Sequence, residues 1–237
     1  MARLGINIKQ VAAMRQTGHS GDPDPVTAAM YAELGGADGI VCPVRDDFQP
    51  VTERDVRLLK ELVKTHLTLQ IPPTEKMISL ALATAPDMVT LVPGKKPGTT
   101  EGGGLDVLGR SAELGKVVQG LRSKGMIVSL LVDPNVHQVK AAARLGADYV
   151  ELHMGQYVMA EDLNDRADQL ENIGSVALAA EKMDLGVSAG QGLGFQSVAE
   201  ISTIPSIEEI NVGRAVISRS LWIGMEQAVR DMAALVK

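Results

Sequence analysis

The sequence is poor in the residues on which several classes of protein depend. A single cysteine among 237 residues excludes an internal disulfide and is typical of the reducing cytoplasm, where we expect this protein. The formal net charge of −6 provides no basic field for nucleic acid or for an anionic membrane surface. Aromatic residues make up only 3% of the chain, too few for platforms on which bases or sugars stack. No apolar run reaches the roughly 18 residues of a membrane-spanning helix, and no signal peptide precedes the first predicted strand.

What the sequence does contain is a regular alternation of short apolar segments with helical ones. Strict alternation of strand and helix forces a parallel sheet, and a closed barrel of eight such units uses about 250 residues. The pattern therefore predicts an α/β fold, a single (β/α)8 TIM barrel that forms one domain over residues 1–237. The predicted strands span residues 4–8, 38–42, 67–71, 87–92, 126–132, 148–153, 185–189 and 207–212.

Helix signals and loop composition complete this prediction. Asp22-Pro23 combines a capping residue with a proline, which predicts the start of the first helix there and a loop before it. Extra helical material is expected near residues 93–125 and 161–183. The Gly/Pro-rich stretch 93–104 follows a strand, and a loop of that length is usually functional or disordered.

Two glycine-rich turns in the last quarter of the chain are the strongest candidates for a binding site. One is Gly190-Gln191-Gly192-Leu193-Gly194 and the other is Gly213-Arg214-Ala215, each between a predicted strand and helical sequence. Glycine lets backbone N–H groups approach an anion at the positive end of a helix. (β/α)8 barrels hold phosphate with the turns after their last two strands. Either turn alone has the alternative reading of a glycine needed for geometry, but the pair favours a phosphorylated small molecule as ligand.

Charged side chains at the carboxyl ends of the strands are candidates for the chemistry. Glu151 and His153 share one face of a strand, so they form either an acid–base pair or a hydrogen-bonded core pair. Lys9 is a candidate amine nucleophile, with an ordinary solvated lysine as the alternative. Arg45 and Arg214 are candidates for charge-assisted bonds to phosphate oxygens, or else for surface ion pairs.

Other residues are assigned to the barrel mouth by their place at a strand end, or to the core by their type. Cys42 and the lone tryptophan, Trp222, are expected in the core. The further strand-end positions are Asn7, Pro43, Gln70, Asp133, Gln191 and Asn211.

Ten motifs spread over nearly the whole chain carry a family resemblance. In chain order they are Gly5-Ile-Asn-Ile8, Asp22-Pro-Asp-Pro25, Gly36-Ala-Asp-Gly-Ile40, Thr52-Glu-Arg-Asp-Val56, Thr99-Thr-Glu-Gly-Gly103, Leu105-Asp-Val107, Gly146-Ala147, Glu151-Leu-His-Met-Gly155, Ala189-Gly-Gln-Gly-Leu193 and Asn211-Val-Gly213. With these motifs the chain resembles the pyridoxine 5'-phosphate synthase family. The resemblance implies a (β/α)8 barrel, assembled as a homo-oligomer that is usually a ring-like octamer. It also implies the condensation of 1-deoxy-D-xylulose 5-phosphate with 3-amino-2-oxopropyl phosphate, without a metal or an organic cofactor.

Part of the binding set that the resemblance implies is present. Asn7 is expected near the phosphate of the amino-ketone, and Arg45 and Thr100 are expected on the pentulose phosphate. Glu151 is expected to stabilise a transition state. The binding set predicted from the turns and the resemblance together is Asn7, Arg45, Thr100, Gly190, Gln191, Gly192, Asn211, Gly213 and Arg214.

The family's catalytic groups, in contrast, are replaced. Pro43 stands where the resemblance implies a general-base histidine, Gln70 where it implies a general-base glutamate, and Gln191 where it implies a proton-donor histidine. None of these three side chains exchanges protons near pH 7. Five more positions depart from the family pattern: Lys9-Gln10 for an Asp-His pair, Gly18 for an arginine, Pro50 for a histidine and Arg214 for a histidine.

Three functional hypotheses follow. In the first, the chain is an enzyme that acts on a phosphorylated sugar or amino-ketone by rearranged chemistry, with Lys9, Glu151 and His153 as its reactive groups. In the second, it is a non-catalytic paralogue that binds such a phosphate or co-assembles with an active protein. In the third, it still makes pyridoxine 5'-phosphate by means of other groups.

Overall fold

The computed structural model describes residues 1–18, 21–94 and 102–237. Its eight parallel strands form a closed barrel in which each strand pairs with the next and the last pairs with the first. The predicted (β/α)8 TIM barrel is therefore confirmed, and every predicted strand lies within about two residues of an observed one. The strands are β1 (Arg3–Asn7), β2 (Gly39–Pro43), β3 (Leu67–Ile71), β4 (Met88–Leu91), β5 (Ile127–Val132), β6 (Tyr149–His153), β7 (Gly186–Gly190) and β8 (Glu209–Val212).

Helices surround the barrel and connect its strands. Several of them begin at capping residues that are visible in the sequence. Thr52 and Asp55 form a capping box at one helix start, and Thr74 caps another. The helices are α1 (Lys9–Arg15), α2 (Pro25–Leu34), α3 (Glu53–Leu62), α4 (Glu75–Thr84), α5 (Ser111–Arg122), α6 (Val136–Leu145), α7 (Gly155–Val158), α8 (Leu163–Glu181), α9 (Val198–Ser202), α10 (Arg214–Ile223) and α11 (Met225–Val236).

Three expectations about the helices need correction. The first predicted helix starts at Pro25 rather than at Pro23, because the Asp24 side chain accepts the hydrogen bond from Val26 N. The loop predicted before it contains α1, whose start has no side-chain cap and so gave no signal. The described part of residues 93–125 contains only the crossover helix α5, and residues 161–183 contain the 19-residue crossover helix α8, whereas the additional short helices are α1 and α7.

The barrel interior is unusually polar at its centre. Gln70 on β3 hydrogen-bonds Glu151 on β6, and because these strands are not neighbours the two side chains must meet inside the barrel. Glu209 and Asn211 of β8 are also buried. Apolar residues such as Ile6 and Leu69 belong to the hydrophobic core between the strands and the helices.

The two predicted core residues have different outcomes. Cys42 is fully buried, as expected, and burial raises the pKa of its thiol. Trp222 is not a core residue, because it lies near the end of α10 with 85% of its surface exposed. Among the described residues, no helix has the length and apolar composition required to cross a membrane.

Candidate active site

A cavity of about 690 Å³ lies at the barrel mouth, where the strands end. Its wall continues along the segment after β2, through Arg45 to Asp47. The carboxyl ends of several different strands thus meet around one space, as in barrel enzymes generally. The strand-end residues that line it are Asn7, Pro43, Gln70, Leu131, His153 and Gln191.

Glu151 lies next to this cavity and is completely buried. Gln70 Nε2 is 2.9 Å from its Oε2 and 3.1 Å from its Oε1. The side-chain amides of Asn211 and Gln191 also favour the ionised form of this carboxyl group. Burial raises the pKa of Glu151 to about 7, with a smaller contribution from the like charge of Glu209, while the amides oppose the rise. A carboxyl group that titrates near neutral pH is suited to exchanging protons with a ligand.

Two glycines make room for this polar cluster. A Cβ on Gly190 would fall 2.2 Å from Glu151 Oε1, and a Cβ on Gly5 would fall 2.0 Å from Asn211 Oδ1. Real Cβ atoms do not approach polar atoms so closely, and close packing leaves no free space to absorb them. Glycine at positions 190 and 5 is therefore required for the side chains of Glu151 and Asn211 to fit inside the barrel.

The two glycine-rich turns lie side by side. A Cβ on Gly194 would be 3.2 Å from the Cβ of Ala215, so the turn after β7 touches the first residues of α10. Gly213 packs against Asn7 of β1, and no side chain caps the start of α10. The first-turn N–H groups of α10 consequently have the positive potential that attracts an anion. In the other turn, Gln191 and Gly192 both have left-handed backbone, with φ of 71° and 91°.

The ionisable residues that line the cavity are Lys9, Arg45, Asp46, Asp47 and His153. Arg45 forms an ion pair of 3.2 Å with Asp47 and is partly exposed. The Nδ1 atom of His153 accepts a hydrogen bond from Gly155 N at 3.2 Å. Burial lowers the pKa of His153, although Asp133 acts in the opposite direction, so the imidazole is neutral near pH 7. Lys9 follows Asn7, whose Oδ1 accepts the Lys9 backbone N–H at 3.0 Å.

The structure brings together many, but not all, of the predicted site residues. The cavity lining includes Asn7, Lys9, Pro43, Arg45, Gln70, His153 and Gln191. It does not include the phosphate-turn residues Gly190, Gly192, Asn211, Gly213 and Arg214, and Arg214 is exposed at the start of α10. Thr100 lies outside the described residues.

Two residues beside the cavity make contacts that the sequence did not predict, although Asp133 was among the strand-end candidates. Asp133, at the end of β5, accepts a hydrogen bond from Gly104 N at 2.9 Å and so fixes the segment beside the cavity. The Asp133-Pro134 pair at a strand end was the available signal. Asp46 accepts a 2.6 Å hydrogen bond from Thr74 Oγ1, which holds the arginine-bearing wall against α4. The charged run of residues 45–47 hinted at a functional loop, but no pattern in the sequence links it to α4.

Known proteins resemble this chain in sequence or in fold. The family model described as pyridoxal phosphate biosynthesis protein PdxJ matches residues 4–237. The pyridoxine 5'-phosphate synthases of Geotalea daltonii and of Syntrophobacter fumaroxidans are each 44% identical to this chain, with 100% of it and 99% of the relative covered. That of Synechococcus sp. strain JA-2-3B'a(2-13) is 44% identical over 98% of this chain and 97% of the relative.

Solved structures of more distant proteins share the fold alone. Phosphoribosylanthranilate isomerase from Thermotoga maritima superposes with a TM-score of 0.59 at 13% identity, over 100% of this chain and 98% of its own. A native KDPGal structure superposes with a TM-score of 0.64 at 12% identity, over 99% and 94% of the two chains. The match of the family model over nearly the full length, together with the curated relatives, shows that the chain belongs to the pyridoxine 5'-phosphate synthase family.

Proposed function

We propose that this barrel binds a phosphorylated sugar or amino-ketone at its mouth and has altered or lost the ring-closing condensation of its family. The observation that carries the proposal is the set of side chains around the cavity. Pro43, Gln70 and Gln191 line it at the three positions where the resemblance implies acid–base groups. General acid–base groups contribute about 10²–10⁴ each to a rate. Without all three, the family reaction has no route by its usual groups.

The binding part of the proposal rests on the cationic and backbone groups of the mouth. Arg45 in the cavity wall is suited to a phosphate oxygen, and Asn7 is suited to a polar group of the ligand. The uncapped start of α10, with Gly213 before it and Arg214 as its first residue, provides a second place for phosphate.

The remaining proton carriers would act beneath and beside the ligand. Glu151, with a pKa of about 7, exists in both protonation states at neutral pH and would give or take a proton. Neutral His153 would donate or accept a hydrogen bond at the mouth. Lys9 is the candidate for imine formation with a bound ketone, in which its amine nitrogen bonds the carbonyl carbon and water leaves.

A second candidate function is a non-catalytic one. The observation that favours it is the amide cluster, in which Gln70 hydrogen-bonds Glu151 and the amides of Gln191 and Asn211 favour its ionised form. Amides hold a polar ligand without transferring protons to it. Borohydride trapping with 1-deoxy-D-xylulose 5-phosphate separates the two candidates, because only an enzyme that uses Lys9 is labelled covalently, and Lys9→Ala is the control.

Restoration of the lost groups tests the proposal from the opposite direction. The triple variant Pro43→His, Gln70→Glu and Gln191→His should gain formation of pyridoxine 5'-phosphate relative to the unmodified chain. A high activity of the unmodified chain that the triple variant does not increase would contradict the proposal.

The phosphate turns have a test of their own. Arg214→Ala should weaken binding of a phosphorylated ligand whose phosphate lies against these turns by at least about 1.5 kcal/mol, the value expected for a lost charge-assisted hydrogen bond. The probe is 3-amino-2-oxopropyl phosphate, because its phosphate is expected beside Asn7, against which Gly213 packs. Isothermal titration calorimetry measures the change, and Arg230→Ala, on the exposed face of α11, is the matched control. Equal affinity of the Arg214 variant and the unmodified chain would mean that phosphate binds elsewhere.

A further inference from the structure

The hydrogen bond between Gln70 and Glu151 fixes which end of the Gln70 amide faces the carboxylate. A single nitrogen, Nε2, donates to both oxygens of Glu151, at 2.9 and 3.1 Å. If the amide were turned over, its oxygen would face the lone pairs of an ionised carboxylate, which accepts hydrogen bonds but donates none. An ionised Glu151 therefore holds the Gln70 nitrogen toward itself.

Gln70 also lines the cavity, whereas Glu151 is buried behind it with no exposed surface. Because Nε2 is committed to Glu151, the amide oxygen is the polar end that remains for the cavity. A ligand group at that point of the wall must then be a donor, such as a hydroxyl group or an amine.

Protonation of Glu151 reverses this preference. The carboxyl group then carries an O–H donor, and the Gln70 oxygen becomes its natural acceptor. Rotation of the amide by a half-turn satisfies that bond and directs Nε2, with its two hydrogens, toward the cavity. The same wall position would now favour an acceptor, such as the carbonyl oxygen of a ketone.

We propose that Gln70 is a positioning residue that converts the protonation state of Glu151 into the hydrogen-bonding polarity of the cavity wall, as acceptor when Glu151 is ionised and as donor when it is protonated. The inference rests on the proposed function only in assigning a ketone or amine to the cavity. The glutamate that the family resemblance implies at position 70 offers no such reversal, because an ionised carboxylate is an acceptor on both sides.

The groups that face Glu151 allow this change near neutral pH. Glu209 on β8 is the like charge that acts on it, and the amides of Asn211 and Gln191 favour its ionised form. Among the described residues, no hydrogen bond from a cationic side chain to Glu151 fixes its charge. The other charged or titratable groups of the mouth are His153 on its own strand, Asp133 at the end of β5, Asp46 and Asp47 after β2, and Lys9 and Arg45 in the wall.

Neutron diffraction of the unliganded protein tests the proposal directly, because deuterium distinguishes the amide nitrogen from its oxygen. At about pH 8.5 the ND₂ group of Gln70 should face Glu151, and at about pH 5.5 the Gln70 oxygen should accept a deuteron from Glu151. If Glu151 changes its protonation between the two pH values and the Gln70 amide keeps the same orientation, the proposal is overturned. A Glu151 whose protonation is the same at both pH values would also overturn it.

A titration in solution provides a second, independent measurement. Infrared difference spectra, with Glu151→Gln to assign the carboxyl band, give the midpoint of the Glu151 titration. Gln70→Leu removes a donor to the carboxylate and should move this midpoint upward by about one pH unit, whereas the exposed Gln119→Leu on α5 should leave it unchanged. An unmoved midpoint in a folded Gln70→Leu variant would contradict the role of Gln70. Neither measurement uses a ligand, so failure here is distinct from failure of the proposed function.

Discussion

At the scale of single residues, the environment of Glu151 determines what the barrel mouth can do. The side chain is fully buried, surrounded by amides and next to the like charge of Glu209. Burial without a cation favours the neutral acid in the folded protein, while the unfolded chain ionises at the ordinary pKa of glutamate. The difference between the two states has a consequence for stability.

The first prediction concerns this pH dependence. Because the pKa of Glu151 rises from its ordinary 4.5 to about 7, the folded state holds a proton in this window that the unfolded state has lost. Stability from this group is therefore present below pH 4.5 and declines as the pH rises to about 7, by about 3 kcal/mol in all. Urea unfolding of the wild type and of Glu151→Gln, at one protein concentration and several pH values, measures the difference.

The comparison with Glu151→Gln separates the contribution of Glu151 to stability from the contributions of groups whose pKa is shifted in the opposite direction. Asp55, for example, has a lowered pKa, so its contribution is present above its ordinary pKa and is lost in acid, in both proteins alike. The free-energy difference between wild type and variant should fall from pH 4.5 to 7. A flat difference would show that Glu151 is not held in the neutral form.

The second prediction concerns the space that glycine provides beside Glu151. Gly190→Ala places a Cβ 2.2 Å from Glu151 Oε1 and should destabilise the protein by about 1–3 kcal/mol, as overpacking does. At Gly174 in α8, an added Cβ meets no neighbouring group within 4 Å. Gly174→Ala should therefore stabilise the protein by about 0.5–1 kcal/mol. Thermal or urea unfolding of both variants measures the contrast. Equal effects would mean that the polar cluster rearranges freely.

At the scale of secondary-structure elements, α1 is fixed to α3 by a buried ion pair. Arg15 is bonded to Asp55 through Nη1 at 2.8 Å and Nη2 at 2.6 Å, and Nη2 also donates to Pro50 O. The Asp55 side chain is fully buried and that of Arg15 is 13% exposed. The pair therefore connects the segment after β1, which contains Lys9, with the segment after β2, which contains Arg45. Both Lys9 and Arg45 line the cavity.

The third prediction follows from that contact. Arg15→Ala removes both short bonds from the buried Asp55 carboxylate and leaves it only the longer 3.4 Å contact of the exposed Arg54. The loss should cost about 3 kcal/mol, the lower end of the range for breaking a buried pair. Arg230→Ala breaks the exposed pair with Glu226 on α11 and should cost less than about 1 kcal/mol. Chemical unfolding compares the two, and a small cost for Arg15→Ala would show that the pair does not hold α1.

The same elements show what could be predicted from the sequence. The strands were predictable because each is a short apolar run, and their order follows from strict alternation with helices. Helix α1 was not predicted, because its start has no side-chain cap. Trp222 was wrongly placed in the core, because the type of a residue alone does not determine its exposure. Strand ends located the cavity residues, but the approach of Gln70 to Glu151 across the barrel depends on closure of the sheet.

At the scale of the whole molecule, the protein joins the barrel of a biosynthetic family to a mouth that is lined by Pro43, Gln70 and Gln191, where the family resemblance implies acid–base groups. The phosphorylated ligand and the homo-oligomer, an octamer by family resemblance, stay predictions, and light scattering of the purified protein checks the latter. The central claim is that ligand binding is kept while the family condensation is altered or lost.

An assay of the unmodified chain, purified from a host that lacks the family enzyme, tests this claim most directly. The protein is mixed with 1-deoxy-D-xylulose 5-phosphate and 3-amino-2-oxopropyl phosphate, and pyridoxine 5'-phosphate is measured by chromatography, with binding of the first compound measured in parallel. We expect binding without formation of pyridoxine 5'-phosphate. Turnover at about 1 s⁻¹ or faster, the ordinary range for enzymes, would contradict the account and show that Pro43, Gln70 and Gln191 do not disable the reaction.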